Sequence, residues 1–528
     1  MKKIYFIIIL AVLISCNKKI PEISDSGNKT TQPAIILTDE RTVEIDTSVI
    51  NSFKSETLKQ FYASSENKTV WGNLKKRSFV LSQLKNSEEL GLDPNDYKVI
   101  KLDEYESKIS SLSDKDLAFY DLLLTYNFEK YLNHLNKGKL NPKKIYRDWA
   151  LTEKTFDVNN ALIKSFNTNK LDSLVEQIQS KAKTYKQLLN ALKIINNFPE
   201  DDIKPIESKE KITLNDANAA VINIKKRLLY WKDMSGKDSL TNIYDQKTFE
   251  SIKKFQKRHG LIADGIIGAG TINALNFSKT KRKQQIIANL ERWRWYPNEF
   301  SENYFIINIP DYSLNVVEKK DTTAFRKVVV GTNKRKTPIL TSTLKTIVFN
   351  PTWTVPPTIL KEDVVPAMKR NRNYLKNKSI TIYDAAGNVV DPLNWNENKP
   401  HSYRYVQTPG YNNSLGLMKI MFPNNYSVYL HDTNHRNYFE RHNRSLSSGC
   451  VRIENPLELA QHILDDSKNW SKEKIDALIE TKKTTSIRIT KKYTLYQWYW
   501  TAWSEKDQLI FRYDVYELDA DLYSKLRN

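Results

Sequence analysis

Residues 428–456, VYLHDTNHRNYFERHNRSLSSGCVRIENP, restrict this chain more than any other stretch. An apolar run that ends on His431 reads as a strand, and a polar loop follows it. Cys450 and Arg452 then stand on a short strand or turn just ahead of a helix. That helix has Asn455 in the N-cap position, Pro456 first and Glu458 third, with Leu457, Ala460 and Leu464 as its buried stripe. A nucleophile is therefore held on rigid backbone. His431 precedes Cys450 by nineteen residues. A thiol attacks as its thiolate, and a neighbouring imidazole is the usual means of generating one. Free thiol and imidazole pKa values of about 8.5 and 6.5 predict that a hydrogen-bonded pair shares a proton near neutrality. Ser447, Ser448 and Gly449 leave room for a carbonyl, and the backbone N–H groups around Gly449 and Cys450 can face its oxyanion. The residues point to a Cys/His acyl-transfer site.

The amino terminus sets the compartment. Lys2 and Lys3 precede the apolar run 4–14, too short to span a bilayer but suited to a signal peptide. Leu13-Ile14-Ser15-Cys16 resembles a lipobox, which predicts cleavage before Cys16 and its acylation. With two cysteines in the chain, lipidation of Cys16 leaves Cys450 without a disulfide partner. An unpaired thiol in an oxidising compartment is either catalytic or deeply buried, and the polar surroundings of Cys450 favour catalysis. At 528 residues two or three domains are expected, with 28 Tyr, 19 Phe and 11 Trp to fill their cores. The formal charge of +21 is dispersed and no nucleic-acid module is legible, so it reads as solvated surface with some attraction to acidic wall material.

H-D-T, thirteen intervening residues and then S-S-G-C-V-R resembles the signature of the YkuD-type L,D-transpeptidases, particularly their large YcbB-like branch. The commoner family pattern has histidine where Ser448 stands, which puts more weight on His431. Residues 17–45 are polar and read as a disordered tether. From 46 to 210 the apolar spacing is helical, as in Leu117, Tyr120, Leu124 and Phe128, and the aromatic motifs resemble the helical scaffold of the same branch. Residues 217–278, with Phe255-Gln256-Lys257-Arg258-His259-Gly260-Leu261 and Asp264-Gly265, resemble a three-helix peptidoglycan-binding domain in which Thr271 can cap a helix. Most of these residues explain a fold, so ligand binding there rests on the resemblance. Residues 279–300 hold a basic helix that docks this module onto the catalytic domain. Residues 301–528 read as β-rich, interrupted by an insertion at 358–400 that caps the substrate site by analogy. The fold class is thus multidomain α+β, with a helical scaffold, a small three-helix domain and a β-rich catalytic domain.

The resemblance implies attack by Cys450 on a peptidoglycan tetrapeptide stem, loss of terminal D-Ala, and resolution of the thioester by an amine of a second stem to give a 3→3 cross-link. His431 is the implied base and acid, Gly449 an oxyanion donor, Arg452 an orienter of the loop or a stem carboxylate, and Tyr429 and Ser448 supporting residues. The partners are then donor and acceptor stems and, through the lipid, a membrane facing the periplasm. No cofactor is called for. His431 and His435 have the i, i+4 spacing of a helical zinc pair, but they follow a strand and lack a base glutamate. A hydrolase on the same site, or a non-catalytic wall-anchoring lipoprotein, are the rival readings.

Overall fold

A computed structural model describes residues 35, 41–146, 149–151, 153–236, 240–466 and 468–528. The lipobox and most of the tether lie outside the described residues. The tether's carboxy-terminal end is not free, as its composition suggests it should be. Ile45 is buried and Glu44 bridges Lys68 in an isolated β-contact, because one apolar side chain suffices to seat the strand on the first helices.

Three apolar cores divide the chain. The first belongs to the helical scaffold and is organised around the long helix Asp114–Lys137, capped by Ser113 and buried along most of its length. Inside it Asp121 accepts from the Tyr62 hydroxyl at 2.6 Å and from the Val70 and Trp71 N–H groups, so a buried carboxylate fixes three segments at once.

The second core is shared by the small helical module, the connecting helix Lys279–Trp295 and the β-rich domain. The helix Lys183–Asn196, scaffold by sequence position, packs into this core rather than the first. Lys279–Trp295 looks weakly amphipathic in sequence because its charges are themselves buried. Arg292 pairs with Asp519 at 3.0 Å, and Glu291 lies between Arg294 and the Leu140 N–H. In the small module the Phe-Gln-x-x-His-Gly text is spent on docking. Arg258 pairs with Asp233 and donates to the Leu509 carbonyl at 3.1 Å, while the His259 ring stacks on Phe511. Gly260 has φ +67°, and a Cβ there would stand 2.5 Å from Arg512 Cδ, so the close approach requires glycine. Thr271 lies inside the helix Ala269–Leu275 and accepts from Gln256 rather than capping; Gly268 occupies the N-cap.

The β-rich domain is built on a curled sheet of eleven strands, with the hairpin Ala502–Glu505 and Gln508–Phe511 as a separate pair. Its middle runs from Thr346–Phe349 through Met418–Met421, Leu430–His431 and Val451–Ile453 to Asp321–Gly331. The third core holds Leu360, Val364, Met368, Ile382 and Trp395 of the insertion together with Val355 and Tyr405 just outside 358–400, so the folded body is wider than the sequence bounds. Its polar, Asn-rich part carries strands Ile380–Tyr383 and Val389–Val390, which join Arg404–Gln407 and Trp353–Thr354 in a separate four-stranded sheet. It opens on helical segments Pro357–Ile359 and Val365–Arg370 joined by a π-helical turn at Leu360–Val364. No helix among the described residues is long and apolar enough to cross a membrane.

Candidate active site

The site is a consequence of strand register. Leu430 pairs with Val451 and His431 with Arg452 in parallel, while Lys419 pairs with His431 in antiparallel. Side chains alternate faces along a strand, so Lys419, His431 and Arg452 form a row across three neighbouring strands. Two residues back, Tyr429 and Cys450 extend the same face. The sequence separates these five residues by up to 33 positions, and only the pairing brings them together.

His431 is 5% exposed. Its Nδ1–H donates to the Asp432 carbonyl at 2.5 Å, which leaves Nε2 as the acceptor. Burial, then the Arg452 and Lys419 charges, push its pKa down to about 3. Burial also pushes the Cys450 thiol up to about 11, against hydrogen bonds from the Tyr429 backbone and hydroxyl and the nearby Arg452. The resting pair is therefore neutral thiol and neutral imidazole. Among the described residues no hydrogen bond joins the thiol to His431, and after burial the neighbouring Tyr429 is the group that acts most on its pKa. The expected sharing of a proton near neutrality is not the resting state, because flanking cations and burial both disfavour imidazolium. Burial foremost raises the Tyr429 pKa.

The turn before Cys450 is braced by a residue the sequence treats as spacer. Ser447 Oγ accepts the Gly449 N–H at 3.2 Å and donates to the Cys450 carbonyl at 2.6 Å. The Gly449 N–H, expected to face the substrate, is thus occupied, and the Cys450 N–H is the donor that remains at the turn. Thr337 Oγ1 donates to the Gly449 carbonyl at 2.9 Å. Gly449 has φ +109°, a conformation few L-residues adopt. Ser447→Ala should cost about 1–3 kcal/mol by stranding two buried polar groups. Urea unfolding at unchanged m-value measures it. Asn455 sits before the helix Pro456–Leu464 in the left-handed region with no side-chain cap; it turns the chain out of the strand, and Pro456 opens the helix.

Arg452 and Lys419 have no ion-pair partner among the described residues. Arg452 Nε and Nη1 are enclosed without hydrogen bonds, and its nearest ring is Tyr438 at 5.7 Å. Burial lowers the pKa of both cations. Two uncompensated positive charges beside a thiol suit a substrate that brings a carboxylate. Ser448 is exposed and its Oγ accepts from Arg335 at 2.9 Å. His435 stacks on Tyr438 at 5.0 Å, and His442 is half-buried outside the row. Arg335 and Lys419 carry no local signal of a role at the site, and their positions follow from tertiary contact alone; Ser447 lies in the legible motif, but its bracing of the turn does not show there.

Residues 302–484 match the family model of the YkuD L,D-transpeptidase catalytic domain. A putative peptidoglycan binding domain matches residues 217–275 and a scaffold domain residues 56–192. A putative L,D-transpeptidase of Haemophilus influenzae is 37% identical over 243 residues, covering 45% of this chain and 49% of that protein. The chain thus spans about half the length of that curated relative. Among solved structures, the L,D-transpeptidase of Xylanimonas cellulosilytica aligns at 12% identity and TM-score 0.18, over 56% of this chain and all of that fragment (100%). The Stackebrandtia nassauensis L,D-transpeptidase aligns at 14% identity and TM-score 0.22, over 56% of this chain and 97% of that one. Similarity at those scores carries no structural argument.

Proposed function

We propose that this chain is a peptidoglycan L,D-transpeptidase that forms 3→3 cross-links through a thioester on Cys450. The observation that carries the reading is the single sheet face on which a thiol, a neutral imidazole and two cations without ion-pair partners among the described residues meet. The Cys450 Sγ attacks the carbonyl before the terminal D-Ala of a tetrapeptide stem while His431 Nε2 takes the thiol proton. The tetrahedral oxyanion is held by the Cys450 N–H, a contribution worth about 3–4 kcal/mol per donor in comparable sites. His431 returns the proton to the departing D-Ala amine, leaving the thioester. An acceptor amine then attacks the thioester, and the thiol is regenerated. Arg452 and Lys419 hold a stem carboxylate, and Tyr429 keeps the thiol aimed. The lipid on Cys16 anchors the chain on the periplasmic side, and the small helical module contacts the wall. The large YcbB-like architecture is part of the same proposal.

A hydrolase on the same site differs only in the nucleophile that resolves the thioester. The separately folded insertion, tied to the site by Arg335 between Asp363 and Ser448, favours an amine over water. The test is intact-protein mass spectrometry with a disaccharide-tetrapeptide, followed by analysis of the released muropeptides. Acylation with loss of D-Ala and a 3→3 dimer is expected. Tripeptide alone would establish the hydrolase, and no adduct would overturn both.

A further inference from the structure

Arg335 lies in the turn after the strand Asp321–Gly331, and its side chain reaches two bodies at once. Toward the site, Nη1 donates to Ser448 Oγ at 2.9 Å. Toward the insertion, Nε and Nη2 donate to Glu362 Oε2 at 3.0 and 2.6 Å, and Nη1 donates to Asp363 Oδ2 at 2.6 Å. Both carboxylates belong to the π-helical turn Leu360–Val364, a local irregularity of the kind that recurs at functional positions.

The turn that holds Arg335 is itself stiff. A Cβ at Gly331 would stand 2.1 Å from the Arg335 carbonyl oxygen, so the backbone folds back tightly there. The Gly331 N–H donates to Thr337 Oγ1 at 2.8 Å, and the same Thr337 hydroxyl binds the Gly449 carbonyl. Movement of Arg335 is thus felt by the cysteine turn through Ser448 and through Gly449. The insertion, in contrast, has its own core and its own sheet. Its root is pinned by Asn413, whose Nδ2 donates to the Pro351 and Thr408 carbonyls at 3.1 and 2.9 Å. A body pinned at one side and held across from it by an ion pair can swing.

We propose that Arg335 is a positioning residue which latches the insertion over the thiol and sets the Ser448–Cys450 turn when the latch is closed. The substrate reading of the site is the one given above, and the latch rests on it. The Glu362 and Asp363 side chains are 52% and 45% exposed, so the contact is screened by salt and opens readily. The bidentate geometry of guanidinium on two carboxylates supplies direction that lysine would not.

The test uses the full-length protein and reads labelling of Cys450 by a bulky maleimide at pH 9, with peptide mapping to separate Cys450 from Cys16. Glu362→Gln with Asp363→Asn, and separately Arg335→Ala, should each label about 3–10 times faster than wild type. Wild-type labelling should accelerate between 50 mM and 1 M NaCl, a response the Glu362→Gln/Asp363→Asn protein should lack. Arg335→Lys should fall between wild type and Arg335→Ala at low salt. Acylation by the tetrapeptide should slow at least about fivefold in both latch variants. Equal labelling in wild type and the carboxylate variant, or a salt response that persists in it, would overturn the latch. Labelling needs no substrate, so failure of wild type to acylate would count against the reaction alone, and the labelling contrast would still decide whether the latch exists.

Discussion

Cys450→Ala is expected to abolish covalent capture of a tetrapeptide donor and to reduce release of D-Ala by at least about a thousandfold, the scale on which loss of a nucleophile acts in acyl transfer. The folded state should be nearly untouched. Cys450 is partly buried at the edge of the second core. Removing one sulfur atom there costs roughly 1 kcal/mol. Cys450→Ser is the sharper variant. Its hydroxyl nearly fills the thiol's place but is a far weaker acid, so a neutral imidazole cannot generate its anion effectively. Serine should therefore retain stability and still lose acylation. Stopped-flow quenching with mass detection reads both variants, and appearance of an adduct on Cys450→Ala would remove this residue from the reaction.

Much of the site is local text, and that is why it is legible. An apolar run ending on His431, small residues before Cys450 and a proline-started helix after it are short-range signals, and each leads to the corresponding strand, turn or helix. The β-rich and helical regions are legible for the same reason, since periodicity reports which face is buried. What periodicity does not report is register. Lys419 joins the row only because Met418–Met421 pairs with Leu430–His431 one way and not one residue over. Arg335 is 113 residues from Ser448, and nothing near it in sequence indicates the bond.

The insertion shows the same limit from the other side. Its Asn-rich remainder has little alternation, yet Ile380, Ile382 and Tyr405 bury themselves against Trp395. Short strands whose partners all lie within one small body leave too few residues for a pattern to rise above the polar background. The protonation state escapes the sequence for a related reason. Reference pKa values describe groups in water, and burial and the cations on either side of His431 are properties of the assembled sheet.

Those charges make the pH response the second large expectation. A thiolate–imidazolium pair would alkylate at a nearly constant rate from about pH 5 to 8, since its thiolate is preformed. Here burial holds the thiol up at about 11 and, with the flanking cations, the imidazole down at about 3, so the thiolate is a rare form at neutral pH. Alkylation of Cys450 by iodoacetamide should accordingly rise about tenfold per pH unit from pH 6 to 10. Donor acylation should not follow it. His431 remains neutral at any pH well above 3, so its capacity to accept the proton during attack is intact across that range, and protonation removes it only as pH falls toward 3. The acylation profile should be flat where the alkylation profile is steep. His431→Gln keeps a polar side chain in the row but deletes the base, and acylation should drop by about 10²–10⁴ while becoming as steep in pH as alkylation. A wild-type alkylation rate that stays level between pH 5 and 8 would establish the preformed ion pair. It would also mean that the cations on either side of His431 stabilise the thiolate more than they repel the imidazolium.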